Sequence, residues 1–155
     1  FEPRAEELAK KYALAPYTMF IGSGALWGET ILFSMCILEE MQWKRTRYIT
    51  SADFFHGTLE LVEPGVPVFL FMGEDECRKL DERARAFLTR GVTGDTDINI
   101  IDTAEFAIPG LDDDFRVIVS PWILTVLVTD RLARYYETVT KHNLKYRRYY
   151  HQFDY

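Results

Sequence analysis

The sequence predicts an α/β domain in which a parallel β-sheet is covered by helices on both faces. Short apolar stretches, each bounded by a turn, alternate along the chain with longer stretches of helical character. This alternation is typical of β-α-β units, whose strands pair in parallel. The chain has 155 residues, of which 48% are hydrophobic, so we expect one domain with one core over residues 1–155.

The first half of the chain supplies two helices and two strands. Residues 3–13 predict a helix, because a proline lies in the first turn and acids precede bases. Residues 17–21, YTMFI, are β-prone and predict the first strand. Residues 25–43 are apolar on nearly every face, which predicts a helix buried between the sheet and a second body. A short second strand is expected over residues 47–50.

The second half continues the alternation. Residues 67–72 belong to the apolar run VPVFLFM, which indicates a strand covered on both faces. An amphipathic helix over 75–90 and a fourth strand over 98–101 follow. The β-branched residues 117–119 indicate a short fifth strand, and the last helix should run from about 120 to 139.

The charge of the chain argues against nucleic acid as a partner. The formal net charge is −6, and the dense basic run at 145–148 is short. The acids are concentrated in two stretches, EDE at 74–76 and DDD at 112–114, which we interpret as solvated loops. We therefore expect no nucleic-acid partner.

Cysteine and histidine usage favours a reducing compartment and no metal. The two cysteines, Cys36 and Cys77, are too few for a disulfide framework. The three histidines are too far apart for a metal-ligand motif. The chain has neither a run of about 18 apolar residues, as a membrane span requires, nor a visible signal peptide. We expect a cytoplasmic protein without a membrane partner.

A glycine turn, Gly22-Ser23-Gly24, follows the first predicted strand. Its pattern, G-x-G-x-x-x-G ending at Gly28, lacks the spacing of the dinucleotide fingerprint. The expected acid is also displaced, since Asp53 lies well beyond the usual interval of about 20 residues. The turn can instead hold a phosphorylated or hydroxyl-rich small molecule at the helix N terminus, or it can be a tight turn without a ligand.

Glu40 and His56 are candidates for acid–base chemistry. They lie 16 residues apart, on opposite sides of the second strand. We expect a helix followed by a parallel strand to bring both side chains to one edge of the sheet. Ligands bind at the carboxyl ends of strands in open α/β sheets, where such a pair could move protons on a small substrate. The alternative interpretation is a solvated glutamate and a structural histidine.

Helical spacing places Glu40 on an apolar face. Phe33, Cys36 and Ile37 lie three, four or seven residues before it. Partial removal of Glu40 from water would suit a general acid or base. Glu39 points in another direction, so of the two glutamates we expect Glu39 to be the solvated one.

Three segments together resemble one family. They are the glycine turn, the helix end EEMQW at 39–43, and the segment SADFFHG at 51–57. With these, the chain resembles the sugar isomerase (SIS) domain family, in which a segment S-x-E-F-x-H-G-P follows the second strand. Here Asp53 replaces the glutamate of that segment and Thr58 replaces its proline.

Two later segments resemble one branch of that family. Residues 63–67, EPGVP, and the tail at 147–155 are most similar to the fructosamine 6-phosphate deglycases. The family fold is a three-layer α/β/α sandwich with a five-stranded parallel sheet of flavodoxin-like topology. Such enzymes have two tandem SIS domains and form dimers or larger assemblies. The resemblance therefore implies that 1–155 is the C-terminal domain of a longer chain, with an N-terminal SIS domain and a homo-oligomer as partners.

The resemblance also implies a chemistry without metal or organic cofactor. The substrate would be a phosphorylated ketosamine, cleaved to glucose 6-phosphate and a free amine. Glu40 matches the family's base, and His56 matches its ring-opening or general-acid histidine, which can act across a subunit boundary. The residues implied to line the sugar pocket are Gly22, Ser23, Gly24 and Ser51.

Two other classes of function stay open. One is a related phosphosugar enzyme, either an aldose–ketose isomerase or an amino-sugar phosphate deaminase. The other is a non-catalytic domain that senses a sugar phosphate. The presence of both Glu40 and His56 favours catalysis, because a sensor needs neither.

Overall fold

A computed structural model, which describes residues 1–91 and 93–154, shows a parallel sheet between two layers of helices and turns. Within these residues the sheet has four strands in the order β2-β1-β3-β4. The strands are β1 (Tyr17–Ile21), β2 (Arg45–Ile49), β3 (Val68–Met72) and β4 (Ile98–Asp102). All three pairings are parallel, which confirms the predicted α/β class.

Four helical elements surround the sheet. They are α1 (Glu2–Tyr12), α2 (Trp27–Ile31 and Leu32–Met41), α3 (Arg78–Leu88) and α4 (Arg116–Leu124, Thr125–Leu132 and Ala133–Thr140). The middle segment of α4 and the second segment of α2 have π-helical geometry. No helix in the described part of the chain is both long and apolar enough to span a membrane.

The predicted fifth strand over residues 117–119 is wrong, because these residues lie in the first turns of α4. Their β-branched side chains favour a strand locally, but tertiary contacts decide otherwise. Asp112 caps the short turn Asp113–Phe115 just before α4, because its side chain accepts a hydrogen bond from the Asp114 N–H at 3.0 Å. Arg116, at the start of α4, forms a nearly buried ion pair with Glu74 at 2.5 Å. These contacts stabilise residues 117–119 as the beginning of α4.

The core consists of two clusters, one on each face of the sheet. Helices α1, α2 and α4 cover one face, where Phe20 stacks on Phe69 and Phe71 at centroid distances of 5.2 and 5.9 Å. On the other face, α3 and the turn after β2 cover the strands, with Phe54 in edge contact with Phe87 at 5.8 Å. Strand β3 is buried throughout, as its apolar run predicts.

The π-helical segment of α2 changes which residues face the core. Its last turn is closed by a hydrogen bond from the Gln42 N–H to the Ile37 carbonyl, five residues back, at 3.1 Å. The wider turn brings residues four or five positions apart onto one side. The buried side chains of this segment are Phe33, Ser34, Ile37 and Leu38. Glu39 and Glu40 follow them at the end of the helix, where both are half-buried.

Candidate functional site

A groove of about 750 Å³ lies at the amino edge of the sheet, and we call it the amino-edge groove. Pro16, just before β1, and Arg45, the first residue of β2, both line it, which fixes its place at this edge. Its lining consists of the end of α2, the starts of two strands and the C-terminal tail. The lining residues are Pro16, Glu39, Glu40, Trp43, Lys44, Arg45, Arg147, Arg148, Tyr149 and Tyr150.

Glu40 sits in this groove as the partner of Arg147. The Arg147 Nε donates to Glu40 Oε1 at 2.8 Å, and the two side chains are 17% and 31% exposed. Arg147 Nη1 also donates to the backbone carbonyls of Leu144 and Tyr146, at 2.8 and 2.9 Å. The carboxylate of Glu40 is thus partly withdrawn from water and held by a fixed cation.

The C-terminal tail is fastened to the end of α2, which explains how Arg147 reaches Glu40. Gln42 donates to the His142 carbonyl at 2.7 Å and accepts from the Thr140 hydroxyl at 2.8 Å. The rings of Trp43 and His142 are 4.3 Å apart, and the Arg148 guanidinium lies 4.1 Å from the centroid of Trp43. Aromatic and cation–π contacts of this kind close the groove on the side of the tail.

Glu39 and Lys44 are engaged within the chain. The Thr46 hydroxyl donates to Glu39 Oε1 at 2.5 Å, and Glu39 is half-buried, as Glu40 is. The expectation that Glu39 is the solvated one of the two glutamates is therefore wrong. The π-helical turn accounts for this, because it rotates both glutamates relative to α-helical spacing. Lys44 Nζ donates to the Ala15 carbonyl at 2.6 Å, and burial lowers the pKa of this amine.

His56 lies at the other edge of the sheet, so the expectation that one chain brings it next to Glu40 is wrong. A crossover helix runs antiparallel to the strands it connects, and the end of α2 therefore returns to the amino edge. His56 follows β2, in a short turn at Asp53–His56 beyond the carboxyl end of the strand, and its side chain is exposed. The five residues of β2 separate the two positions by about 16 Å of extended chain.

Ser23 and Ser51 meet at this carboxyl edge in a buried network. The Ser51 N–H donates to Ser23 Oγ at 2.8 Å, and the Ser51 hydroxyl donates to Asp81 Oδ1 at 2.5 Å. The Gly73 N–H donates to Asp81 Oδ2 at 3.3 Å. Burial raises the pKa of Asp81 to about 6, although both hydrogen bonds oppose that rise. The network joins the loops that follow β1, β2 and β3.

The glycine turn after β1 is closed by a carboxylate of the chain. Asp75 accepts hydrogen bonds from the backbone N–H groups of Ala25 at 2.5 Å and Cys77 at 2.7 Å. Gly24 has a positive φ of 55°, and a Cβ there would lie 2.2 Å from Asp75 Oδ2. Neither Asp75 nor its neighbour Glu74, the ion-pair partner of Arg116, is a free solvated acid as the sequence suggested.

The chain is similar to known proteins along nearly its whole length. The fructosamine deglycase of Bacillus subtilis is 30% identical over 148 residues, which cover 94% of this chain and 43% of that protein. The fructoselysine 6-phosphate deglycase of Escherichia coli is 30% identical over 153 residues, or 97% and 42% of the two chains. A crystal structure from Bacillus subtilis, described as that of a candidate phosphosugar isomerase, matches 99% of this chain with a TM-score of 0.90 at 29% identity.

The chain has the fold of the sugar isomerase (SIS) domain. The long match at high TM-score decides this, since it covers every strand of the sheet. No family model matches the chain. This SIS domain spans less than half the length of the relatives it matches, and 46% of the crystallised one.

Sequence reasoning missed three residues that contact the predicted site residues, namely Asp75, Asp81 and Arg147. Asp75 and Asp81 were not singled out, because acids on a loop and on an amphipathic helix are usually solvated. Arg147 is separated from Glu40 by 107 positions, so no local pattern joins them. Across residues 1–91 and 93–154, no group of three His, Cys, Asp or Glu side chains could hold a metal ion.

Proposed function

We propose that this SIS domain belongs to a fructosamine 6-phosphate deglycase. The observation that carries the proposal is the carboxylate of Glu40, presented to a groove large enough for a small phosphorylated sugar. The similarity to two deglycases along nearly the whole chain supports it. The substrate would be an amine or amino acid bonded to C1 of open-chain fructose 6-phosphate.

The reaction would proceed by two proton transfers and a hydrolysis. Glu40 removes a proton from C1, which is acidic because it lies next to the C2 carbonyl, and the carbonyl oxygen takes up a proton to give an enaminol. Protonation at C2 and loss of the proton on nitrogen then place the double bond between C1 and nitrogen, which forms an aldimine. Water adds to that C=N bond, releasing the amine and leaving C1 as the aldehyde of glucose 6-phosphate. A half-buried carboxylate is suited to the first step.

We further propose that the site is completed by a second copy of the chain. Since Glu40 and His56 of one chain lie at opposite edges of the sheet, the two can meet only if His56 comes from another subunit. The exposed side chain of His56 supports this arrangement. His56 would open the sugar ring, because an imidazole can both give and take a proton.

The carboxyl-edge residues have a separate place in the proposal. Gly22, Ser23, Gly24 and Ser51 stay predicted sugar-pocket residues. Ser23 and Ser51 are almost fully buried, so they would act by shaping the loops more than by direct contact. Phosphate contacts would come mainly from the N-terminal SIS domain, because Asp75 already occupies the anion position of the glycine turn.

The test is turnover by the full-length protein. Fructoselysine 6-phosphate is incubated with the enzyme, and glucose 6-phosphate and lysine are measured. We expect the two products in equal amounts. Conversion of fructose 6-phosphate to glucose 6-phosphate without ketosamine cleavage would favour an isomerase, ammonia release from glucosamine 6-phosphate would favour a deaminase, and binding without turnover would favour a sensor.

A further inference from the structure

We propose that Arg147 is a positioning residue that fixes the direction of the Glu40 carboxylate in the amino-edge groove. This inference rests on the proposed role of Glu40 as the base. The tail would then contribute directly to proton transfer, because it supplies the cation that the base requires. Arg147 would not itself touch the substrate.

The geometry divides the two oxygens of Glu40 between two tasks. Arg147 Nε binds Oε1 at 2.8 Å, and within the described residues no hydrogen bond reaches Oε2. Oε2 is therefore the oxygen that can accept a proton from C1. A base held by one oxygen cannot rotate freely, so its second oxygen keeps a constant direction toward the groove.

Arg147 is itself immobilised, which distinguishes this ion pair from an ordinary surface bridge. Its Nη1 is bound to the carbonyls of Leu144 and Tyr146, and the side chain is only 17% exposed. A guanidinium cannot lose its proton in a protein, so its charge persists at every working pH.

Other charged groups in the groove do not replace Arg147. The remaining cations that line it are Lys44, Arg45 and Arg148, and the remaining acid is Glu39. Lys44 is bound to the Ala15 carbonyl, and Arg148 lies over the ring of Trp43. Of these cations, none is within 4 Å of the Glu40 carboxylate in the part of the chain that the structure describes, whereas Arg147 is.

The experiment compares Arg147→Gln and Arg147→Lys with wild type in the full-length protein. Arg131→Gln is the matched control, because Arg131 also binds a glutamate through Nε, at 3.0 Å from Glu2 and away from the groove. For Arg147→Gln we expect kcat to fall about tenfold or more with little change in KM. Arg147→Lys should restore part of kcat, because lysine supplies a cation that can still bind Oε1.

A second measurement separates this inference from the proposed function. Crystal structures of wild type and of Arg147→Gln give the direction of the Glu40 side chain, which needs no substrate. We expect the Glu40 carboxylate to leave its wild-type position in the variant. An unchanged position would overturn the role of Arg147 whether or not the protein is a deglycase. So would a kcat of Arg147→Gln equal to that of wild type, or the same loss of kcat in Arg131→Gln.

Discussion

Asp75 Oδ2 accepts a hydrogen bond from the Ala25 N–H at 2.5 Å, so a carboxylate of this chain occupies the anion position above the glycine turn. The N terminus of a helix carries partial positive charge and exposed N–H groups, which usually attract phosphate. Here the chain satisfies that position by itself. The turn is therefore fixed by an internal contact, and its geometry depends on a close approach between Gly24 and Asp75.

Gly24→Ala should destabilise the domain by roughly 1–3 kcal/mol. The reason is twofold: Gly24 has a φ of 55°, and the added Cβ would lie 2.2 Å from Asp75 Oδ2. Gly28→Ala is the control, since a Cβ there meets nothing within 4 Å and alanine favours a helix. Urea unfolding measures both changes. Equal stability of the two variants would contradict the account of the turn.

Asp81 should make stability fall as pH rises from about 4 to about 6. Its pKa is raised from 3.8 to about 6 in the folded state, so between these values the folded protein keeps a proton that the unfolded chain releases. The stabilising contribution is fully present below the unfolded pKa and is lost above the folded one. Two pKa units correspond to about 3 kcal/mol, which is the upper bound of the effect.

Asp81→Asn isolates this contribution, because asparagine does not titrate. The free energy of unfolding of wild type minus that of the variant should decrease from about pH 4 to about pH 7. The nearby Asp75 raises the pKa of Asp81 and Arg78 lowers it, but both are common to the two proteins. A difference that does not vary with pH would show that Asp81 is not protonated in the folded state.

The sequence predicted the sheet well because its strands are specified locally. β1 has the predicted bounds, and the apolar run around β3 indicates a strand buried on both faces. Residues 117–119 failed because a distant ion pair between Arg116 and Glu74 outweighs the local β propensity of the segment.

The site was less predictable than the fold. The spacing of Glu40 and His56 is visible in the sequence. The edge of the sheet at which each residue lies depends on the direction of α2, which local spacing does not show. The facing of Glu40 assumed α-helical periodicity, whereas this segment has π-helical turns. The Glu40–Arg147 pair is non-local, and the burial of Asp81 follows from packing among three loops.

Complementation should show that two chains share one site. Glu40→Gln and His56→Ala should each be nearly inactive as homo-oligomers. In a randomly mixed two-fold dimer, half of the molecules carry both variants and each has one intact site, so about a quarter of wild-type activity should return. Kinetic assay of the co-expressed, co-purified variants measures this. No recovery despite verified mixing would show that two chains do not share one site.

The central claim, that Glu40 transfers the proton, is tested most directly by kcat of Glu40→Gln in the full-length protein with a fructosamine 6-phosphate. Glutamine keeps the shape and can still accept a hydrogen bond from Arg147, but its amide cannot act as a base near neutral pH. We therefore expect kcat to fall by about 10²–10⁴-fold. Glu39→Gln removes the neighbouring charge and should change kcat by only a few-fold. Near-normal turnover in Glu40→Gln, with a folded protein and an unchanged melting temperature, would contradict the account.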